Sequence, residues 1–328
     1  MAYLLASVDL AELARQLAAT DWAWATVAVV AAPLGIWVRG RRWWYLFPPA
    51  SDPPGVMPAT LIGYMGNNLL PLRAGEVVRV YVVARRWSRA GAMSMAQAFW
   101  LVLATLVVER VFDSVTLVLI IGVLVFLVPV PPALEWAAAI LLAIDVVAIA
   151  VLVTAARAPA LARRLLARLS RRWPALERRL LPLFETALRG LEGVRTPRHA
   201  LPLAAWTVAA WAIPAGAAWA MLRAMHVDLP PVAGWVVLAA VGLGISVPSA
   251  PGYVGVFHAA VALALGIFGV PPATAVGYAL LFHASQFVPI TLVGWAALLR
   301  EQVSLTDAVH SPPAPDVSVG TPRAPDRR

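Results

Sequence analysis

The chain is 328 residues long, 61% hydrophobic and only 13% charged, with a mean hydropathy of +0.78, against roughly 25% charged residues in soluble domains. That is too little polar surface to cover a globule, which excludes a soluble enzyme and predicts an all-α polytopic membrane protein. The net charge of +9 comes from 26 basic residues, every one arginine, against 17 acids, and the absence of cysteine removes disulfides, thiolate metal sites and cysteine nucleophiles.

Residues 1–21 read as an N-terminal amphipathic segment without a cleavable leader, because Asp9 and Glu12 stand where a basic stretch belongs. A spanning helix needs about 20 predominantly apolar residues. The candidate full spans are 22–38, 93–128, 133–154, 201–223 and 272–299. Two further apolar regions, 57–89 and 231–270, are interrupted at Pro71-Leu72-Arg73-Ala74-Gly75 and at Pro248-Ser249-Ala250-Pro251-Gly252. They predict re-entrant helix-break-helix hairpins, which gives about five full spans, or seven to eight if the hairpin arms cross. Irregular backbone at membrane depth is tolerated only where protein buries it or a wet cavity meets it, so such breaks mark binding sites. The proline-rich residues 300–328 predict a disordered tail.

Orientation follows from arginine asymmetry, since short basic loops stay cytoplasmic. Arg39, Arg41 and Arg42 follow the first span, Arg85, Arg86 and Arg89 follow the first hairpin, and eleven arginines lie across 157–198. Connections 129–132, 224–230 and 270–271 hold none and face outside. The N-terminus is then out and the C-terminus cytoplasmic, in a multi-pass protein of the cell membrane. Segment 157–198 reads as two surface helices divided at Pro174, with Leu161, Leu165 and Leu169 striped beside Arg163, Arg164, Arg168, Arg171 and Arg172. Tethered beside a span, such a segment lies on anionic lipid rather than on nucleic acid.

The order of span, broken hairpin and span occurs twice with opposite orientation. Repeat one covers 22–128, a linking span 133–154, and repeat two 201–299, within one membrane domain of residues 22–299. The breaks align as Pro71-x-x-x-Gly75 and Pro248-x-x-x-Gly252. Inverted repeats with matched breaks point to a substrate path at their interface. The alternative is that each break is only a tight turn between ordinary spanning helices.

The residues from Asn67-Asn68-Leu69-Leu70-Pro71-Leu72-Arg73-Ala74-Gly75-Glu76 to Tyr81, the cluster Glu109-Arg110-Val111-Phe112-Asp113, and the stretch from Pro248-Ser249-Ala250-Pro251-Gly252-Tyr253 to Phe257 occur in that order. They resemble the signatures of the lysylphosphatidylglycerol synthase transmembrane region family, the flippase-like membrane half of the multiple peptide resistance factor. The resemblance covers residues 22–299. It implies a lipid-handling membrane protein, with flipping of aminoacylated or other anionic lipids as the expected activity. The family often has Glu after the aromatic residue of the last motif where this chain has His258, so no carboxylate role carries over to that position. Residues 300–328 are too few for the family's cytosolic aminoacyl-transfer domain, so lipid synthesis by this chain alone is not expected. That leaves room for self-association or a separate enzyme partner.

The residues can be weighed independently of the family. A charge near the bilayer centre costs about 2.5–3.5 kcal/mol or more and needs a partner. Glu109, Arg110 and Asp113 lie mid-run in 93–128, and Asp145 lies mid-run in the adjoining antiparallel span. Arg110 is therefore expected to pair with Asp113, Asp145 or both, holding the helices in register. At the first break Arg73, Glu76 and Arg79 share a helix face, and the helix that starts near Gly75 has free amides that favour an anion. With Asn67 and Asn68 they form a candidate phosphate cradle, Arg73 and Arg79 being the main ligands. Against the cradle stand an Arg79–Glu76 intrahelical pair and an Arg73 that snorkels to the interface. The second break offers Ser246, Pro248, Ser249, Pro251, Gly252, Tyr253 and His258, and the last span His283, Ser285 and Gln286, as neutral hydrogen-bonding groups or a polar relay. No cofactor or metal is expected, since no metal-ligand spacing occurs.

Three functions remain open. The first, favoured by the inverted repeat and the midplane charges, is binding or flipping of an anionic or aminoacylated phospholipid or a polyprenyl-phosphate lipid. The second is a membrane-embedded transferase or hydrolase acting on a lipid phosphate, and the third is a structural scaffold.

Overall fold

The computed structural model describes residues 18–49, 51–129, 132–157, 192–246 and 250–301, together with Arg15, Arg164 and Arg189. Most of the expected N-terminal segment, most of the arginine-rich stretch 157–198, Pro248 and Ser249 of the second break, and the tail beyond Glu301 lie outside the described residues.

Every regular element among the described residues is helical: α1 Trp22–Trp44, α2 Val56–Leu69, α3 Gly75–Arg89, α4 Met95–Leu124, α5 Pro132–Arg157, the short α6 Glu192–Arg195, α7 Pro197–Ala224, α8 Val232–Ser246, α9 Val256–Gly266 and α10 Pro272–Glu301. The boundaries have local causes. Asp21 caps α1 by accepting from the Ala23 amide at 2.9 Å, and a reciprocal Ser94–Gln97 capping box opens α4. Pro197 sits in the first turn of α7, where its missing N–H costs nothing. α2 stops at Leu69 because Leu70, preceding Pro71, is driven to extended backbone at φ −104° and ψ 147°.

α1, α7 and α10 are each long and apolar enough to cross a membrane. α4 equals α10 at 30 residues but carries Glu109, Arg110 and Asp113 in its middle. α5 turns Trp136, Ile140, Ile144, Val147 and Val151 outward, a surface that suits hydrocarbon and not water. Together the helices make a polytopic membrane protein.

The two halves share part of a packing scheme. α1 lies along α7 with Trp24 edge-on to Trp219 and Trp37 edge-on to Trp206. As the first number rises the second falls, so these equivalent helices run antiparallel. α2 packs on α10, where Gly294 backs onto Met65, and its counterpart α8 packs on α4, where Gly242 faces Leu117. The exchange of pairings between halves is only partial, because α1 also packs on α10 whereas its counterpart α7 makes no comparable contact with α4.

The breaks repeat as well, but three residues out of the register expected from sequence. Each is a single 3-10 turn, Pro71–Arg73 and Pro251–Tyr253. Left-handed backbone occurs at Leu72 and Arg73 with φ 56° and 57°, and again at Gly252 and Tyr253 with φ 65° and 57°. Pro71-x-x-x-Gly75 therefore matches Pro251-x-x-x-Gly255, and Arg73 corresponds to Tyr253. The second break contains two prolines three apart, each followed by a glycine at the same spacing, and only the one that opens the turn sets the register.

Candidate functional site

α1, α4 and the first break converge on a charge cluster. α4 supplies Glu109, Arg110 and Asp113, α1 supplies Arg39 and Arg42 one turn apart, and the first hairpin supplies Arg73, Glu76 and Arg79 at intervals of three. Each carboxylate is bridged by three guanidiniums. Glu109 accepts from Arg79 at 2.6 Å, Arg110 at 3.1 Å and Arg42 at 3.2 Å. Asp113 meets Arg42 at 2.6 Å, Arg110 at 3.2 Å and Arg39 at 3.6 Å. Glu76 meets Arg110 at 3.5 Å, Arg73 at 3.6 Å and Arg79 at 3.8 Å, and accepts from Asn67 at 3.4 Å. Five arginines against three acids leave two positive charges uncompensated within the cluster.

The cluster has two layers. In the inner one Arg42 and Arg79 have side-chain exposures of 0% and 1% and Glu109 of 0%. The Arg79 guanidinium lies 3.7 Å from the Trp43 ring centroid, and the Trp43 indole in turn donates to Thr105 at 3.1 Å. This is a buried register device tying α1, α3 and α4 together, stable because its charges are paired and hydrogen-bonded. In the outer layer Arg73 and Arg110 are 27% and 31% exposed, and both border a cavity of about 440 Å³.

The charged wall of that cavity is Arg39, Arg73, Arg110 and Asp113, with Asn67, Asn68, Tyr64 and Ser114 beside them. The second half contributes Trp211, Ser246, Tyr253, His283 and Gln286 together with the apolar Val241, Ile245, Phe287 and Ile290, and Leu117 of α4 adds to the apolar lining. The two breaks close it from one side. Their 3-10 turns touch, Gly252 packs so near the Asn68 carbonyl and the Phe287 ring that a Cβ would fall 2.9 Å from the ring, and the Asn68 amide donates to Thr291 at 2.9 Å and to the Phe287 carbonyl at 3.3 Å. Gly75 makes the first hairpin this tight, since a Cβ there would lie 2.0 Å from the Gly63 carbonyl oxygen.

Not every residue expected at the site faces the cavity. Arg73, Asn67, Asn68, Tyr253, His283 and Gln286 line it, whereas Arg79 sits in the buried layer, and Glu76 and Gly75 stand behind the lining. Arg110 pairs with Asp113, Glu109 and Glu76, and not with Asp145. Asp145 is buried at 2% exposure on α5, and its Oδ2 makes no hydrogen bond. His258 accepts from the Gly255 amide at 3.4 Å, capping α9, and touches His283 edge-on at 4.9 Å. His283 stacks on Phe257 at 4.7 Å. Ser285 bonds back to Phe282 within α10, and Gln286 donates to the Ala28 carbonyl at 3.2 Å.

Arg39, Arg42, Tyr64 and Trp211 were not anticipated. Arg39 and Arg42 stand in a basic flank whose expected role was to set orientation. Their signal was the imbalance on α4, where two mid-helix acids one turn apart face only one arginine of their own helix and require further cations from a neighbour. Among the described lining residues the serine hydroxyls do not pair with a histidine or carboxylate: Ser246 donates to Gly242 within its helix and Ser114 has no partner.

Helices long enough to span, packed around a basic cavity between two broken hairpins, define a multi-pass membrane protein. The chain belongs to the lysylphosphatidylglycerol synthase TM region family, whose model matches residues 1–294. No curated protein and no solved structure matches it.

Proposed function

We propose that the protein binds the headgroup of a phosphate-bearing lipid in this cavity and moves that lipid between leaflets. The observation that carries the reading is one cavity that has both a cationic wall of Arg39, Arg73 and Arg110 and an apolar wall of Leu117, Val241, Ile245 and Ile290. A free anion needs only the first wall, and a lipid needs both. Arg73 and Arg110 are the phosphate ligands in this reading, because their guanidiniums are paired yet partly open and Arg binds phosphate through its planar fork. Arg39 completes the wall, while Asn67, Asn68, Tyr253 and His283 supply neutral contacts. Arg79 holds Glu109 and so positions Arg110.

The hairpins are re-entrant in this reading. Helices α2, α3, α8 and α9 have 14, 15, 15 and 11 residues. At 1.5 Å per residue none exceeds about 23 Å, short of a hydrocarbon core of about 30 Å. Two hairpins entering from opposite faces and meeting at their breaks bring the cavity near the midplane, where exchanging the access side moves a headgroup across. The loops rich in arginine then face the cytoplasm.

The test is reconstitution. Liposomes containing the protein should move a fluorescent phospholipid between leaflets faster than protein-free liposomes, and an Arg73→Gln, Arg110→Gln double variant that still folds should lose the gain. Equal rates for native protein, variant and empty liposomes refute the transport reading. In the cysteine-free chain, Asp228→Cys should react with an impermeant maleimide from outside intact cells and Ala90→Cys should not; the reverse pattern inverts the topology.

A further inference from the structure

We infer that the cavity selects a lipid whose headgroup is charged only at phosphate, and rejects one that also carries an ammonium, an aminoacylated headgroup included. This rests on the reading of the cavity as a lipid-phosphate site and narrows its substrate class.

The first ground is charge. An ammonium brought into the cavity needs a carboxylate to face it, and the carboxylate that lines the cavity, Asp113, is already held by Arg42 at 2.6 Å, Arg110 at 3.2 Å and Arg39 at 3.6 Å. Glu76, behind the lining, is held by three arginines in the same way. A cationic headgroup would compete with fixed guanidiniums for every carboxylate while meeting Arg73 and Arg110 as like charges at low dielectric, where repulsion is least screened. Of the aromatic rings in the lining, Trp211 already faces the Arg39 guanidinium at 5.8 Å.

The second ground is hydrogen-bond polarity. Four lining groups are buried without a partner and can donate: Arg73 Nε, Arg110 Nε, Trp211 Nε1 and Ser114 Oγ. The indole can do nothing else, and Trp211 is 6% exposed. Of the acceptors in the same condition, Asn67 Oδ1 lies against Gly75, and Asp113 Oδ1 is 2.6 Å from Arg42. A surplus of unmet donors is complementary to phosphate and hydroxyl oxygens. It is the wrong polarity for an ammonium, which only donates.

The experiment presents the detergent-solubilised full chain with equimolar phosphatidylglycerol, lysylphosphatidylglycerol, phosphatidylcholine and diacylglycerol of matched acyl chains, and reads bound lipid by native mass spectrometry. Phosphatidylglycerol should be retained over lysylphosphatidylglycerol and phosphatidylcholine by about tenfold or more, the scale of one charge-assisted hydrogen bond. In Arg73→Gln that ratio should fall several-fold while the folded fraction is unchanged. Equal retention of the three phospholipids above diacylglycerol, or preference for the lysyl lipid, overturns the selectivity and leaves the lipid-phosphate site standing. Retention of phospholipids no better than diacylglycerol overturns the lipid-phosphate reading and the selectivity with it.

Discussion

At the first break φ is 56° at Leu72 and 57° at Arg73; at the second it is 65° at Gly252 and 57° at Tyr253. The backbone is the same turn, opened by proline and followed by a helix whose start is marked by glycine. The side chains share nothing. The first break brings Arg73 and leads into Glu76 and Arg79, while the second brings Tyr253 and leads into Phe257 and His258. Backbone geometry at a broken hairpin is thus set by Pro and Gly, which restrict or free φ. The charge of the cavity is set separately, by which half supplies ionised residues. Two like turns can in this way hold an asymmetric site.

The largest expected effect tests whether the charged half depends on its charges for stability. Glu109→Leu leaves Arg42 and Arg79 buried without their shared carboxylate and should cost about 3–5 kcal/mol, the penalty for breaking a buried ion pair from one side. Gln286→Leu, in the neutral half, removes one hydrogen bond to Ala28 and should cost only about 1 kcal/mol. Unfolding in detergent monitored by circular dichroism separates the two. Equal losses would erase the distinction between the halves.

Next come the glycines that let the breaks close. Gly75→Ala drives a Cβ into the Gly63 carbonyl and the Asn67 backbone, atoms that cannot rotate away, and should cost about 3 kcal/mol, the upper part of the range for overpacking. Gly252→Ala meets the Phe287 ring, which can shift, and keeps mainly the strain of φ 65°, about 1–2 kcal/mol. The same unfolding measurement checks the ranking, and a Gly252→Ala that is worse than Gly75→Ala reverses it.

A smaller pair of effects concerns binding. Arg73→Gln should weaken retention of phosphatidylglycerol by about 1.5–3 kcal/mol, the worth of a charge-assisted hydrogen bond, and Tyr253→Phe by about 0.5–1.5 kcal/mol, that of a neutral one. The positions are equivalent in the two turns, so lipid titration of the two variants compares charge with polarity at matched geometry. Losses of the same size would mean that the cavity does not use its asymmetry.

Helix content, three of the five expected full spans and the positions of both breaks were legible in the sequence, because hydropathy and Pro/Gly punctuation each act over many residues. The side-chain assignments were less so. Arg73 and Arg79 flank Glu76 three residues to either side and are indistinguishable by type. Only packing shows that Arg79 turns onto Trp43 and Glu109 while Arg73 borders the cavity. Arg39 and Arg42 bore a sufficient explanation as a basic flank, which hid their contacts with Asp113 and Glu109. The spacing Pro248-x-x-x-Gly252 set the expected register, and the left-handed backbone at Gly252 and Tyr253 instead aligns Pro251 with Pro71.

Asp145 carries the smallest expected effect. It lies mid-helix on α5 like Asp113 on α4, and is 2% exposed where the Asp113 side chain is 14% exposed. Asp113 is held by three arginines, whereas Asp145 makes no ion pair among the described residues and leaves Oδ2 without a hydrogen bond. Removing one partner of a buried pair is costly, but replacing an unpartnered buried carboxyl by an apolar group of similar size relieves a desolvation cost. Asp145→Leu should therefore leave thermal unfolding unchanged or raise stability by up to about 1–2 kcal/mol, at the level of a polar group relieved of burial. Asp113→Leu should cost about 3–5 kcal/mol in the same assay. A loss for Asp145→Leu comparable to that for Asp113→Leu would show that the carboxyl on α5 has a partner, and that the charge network extends beyond α1, α3 and α4 into the helix linking the two halves.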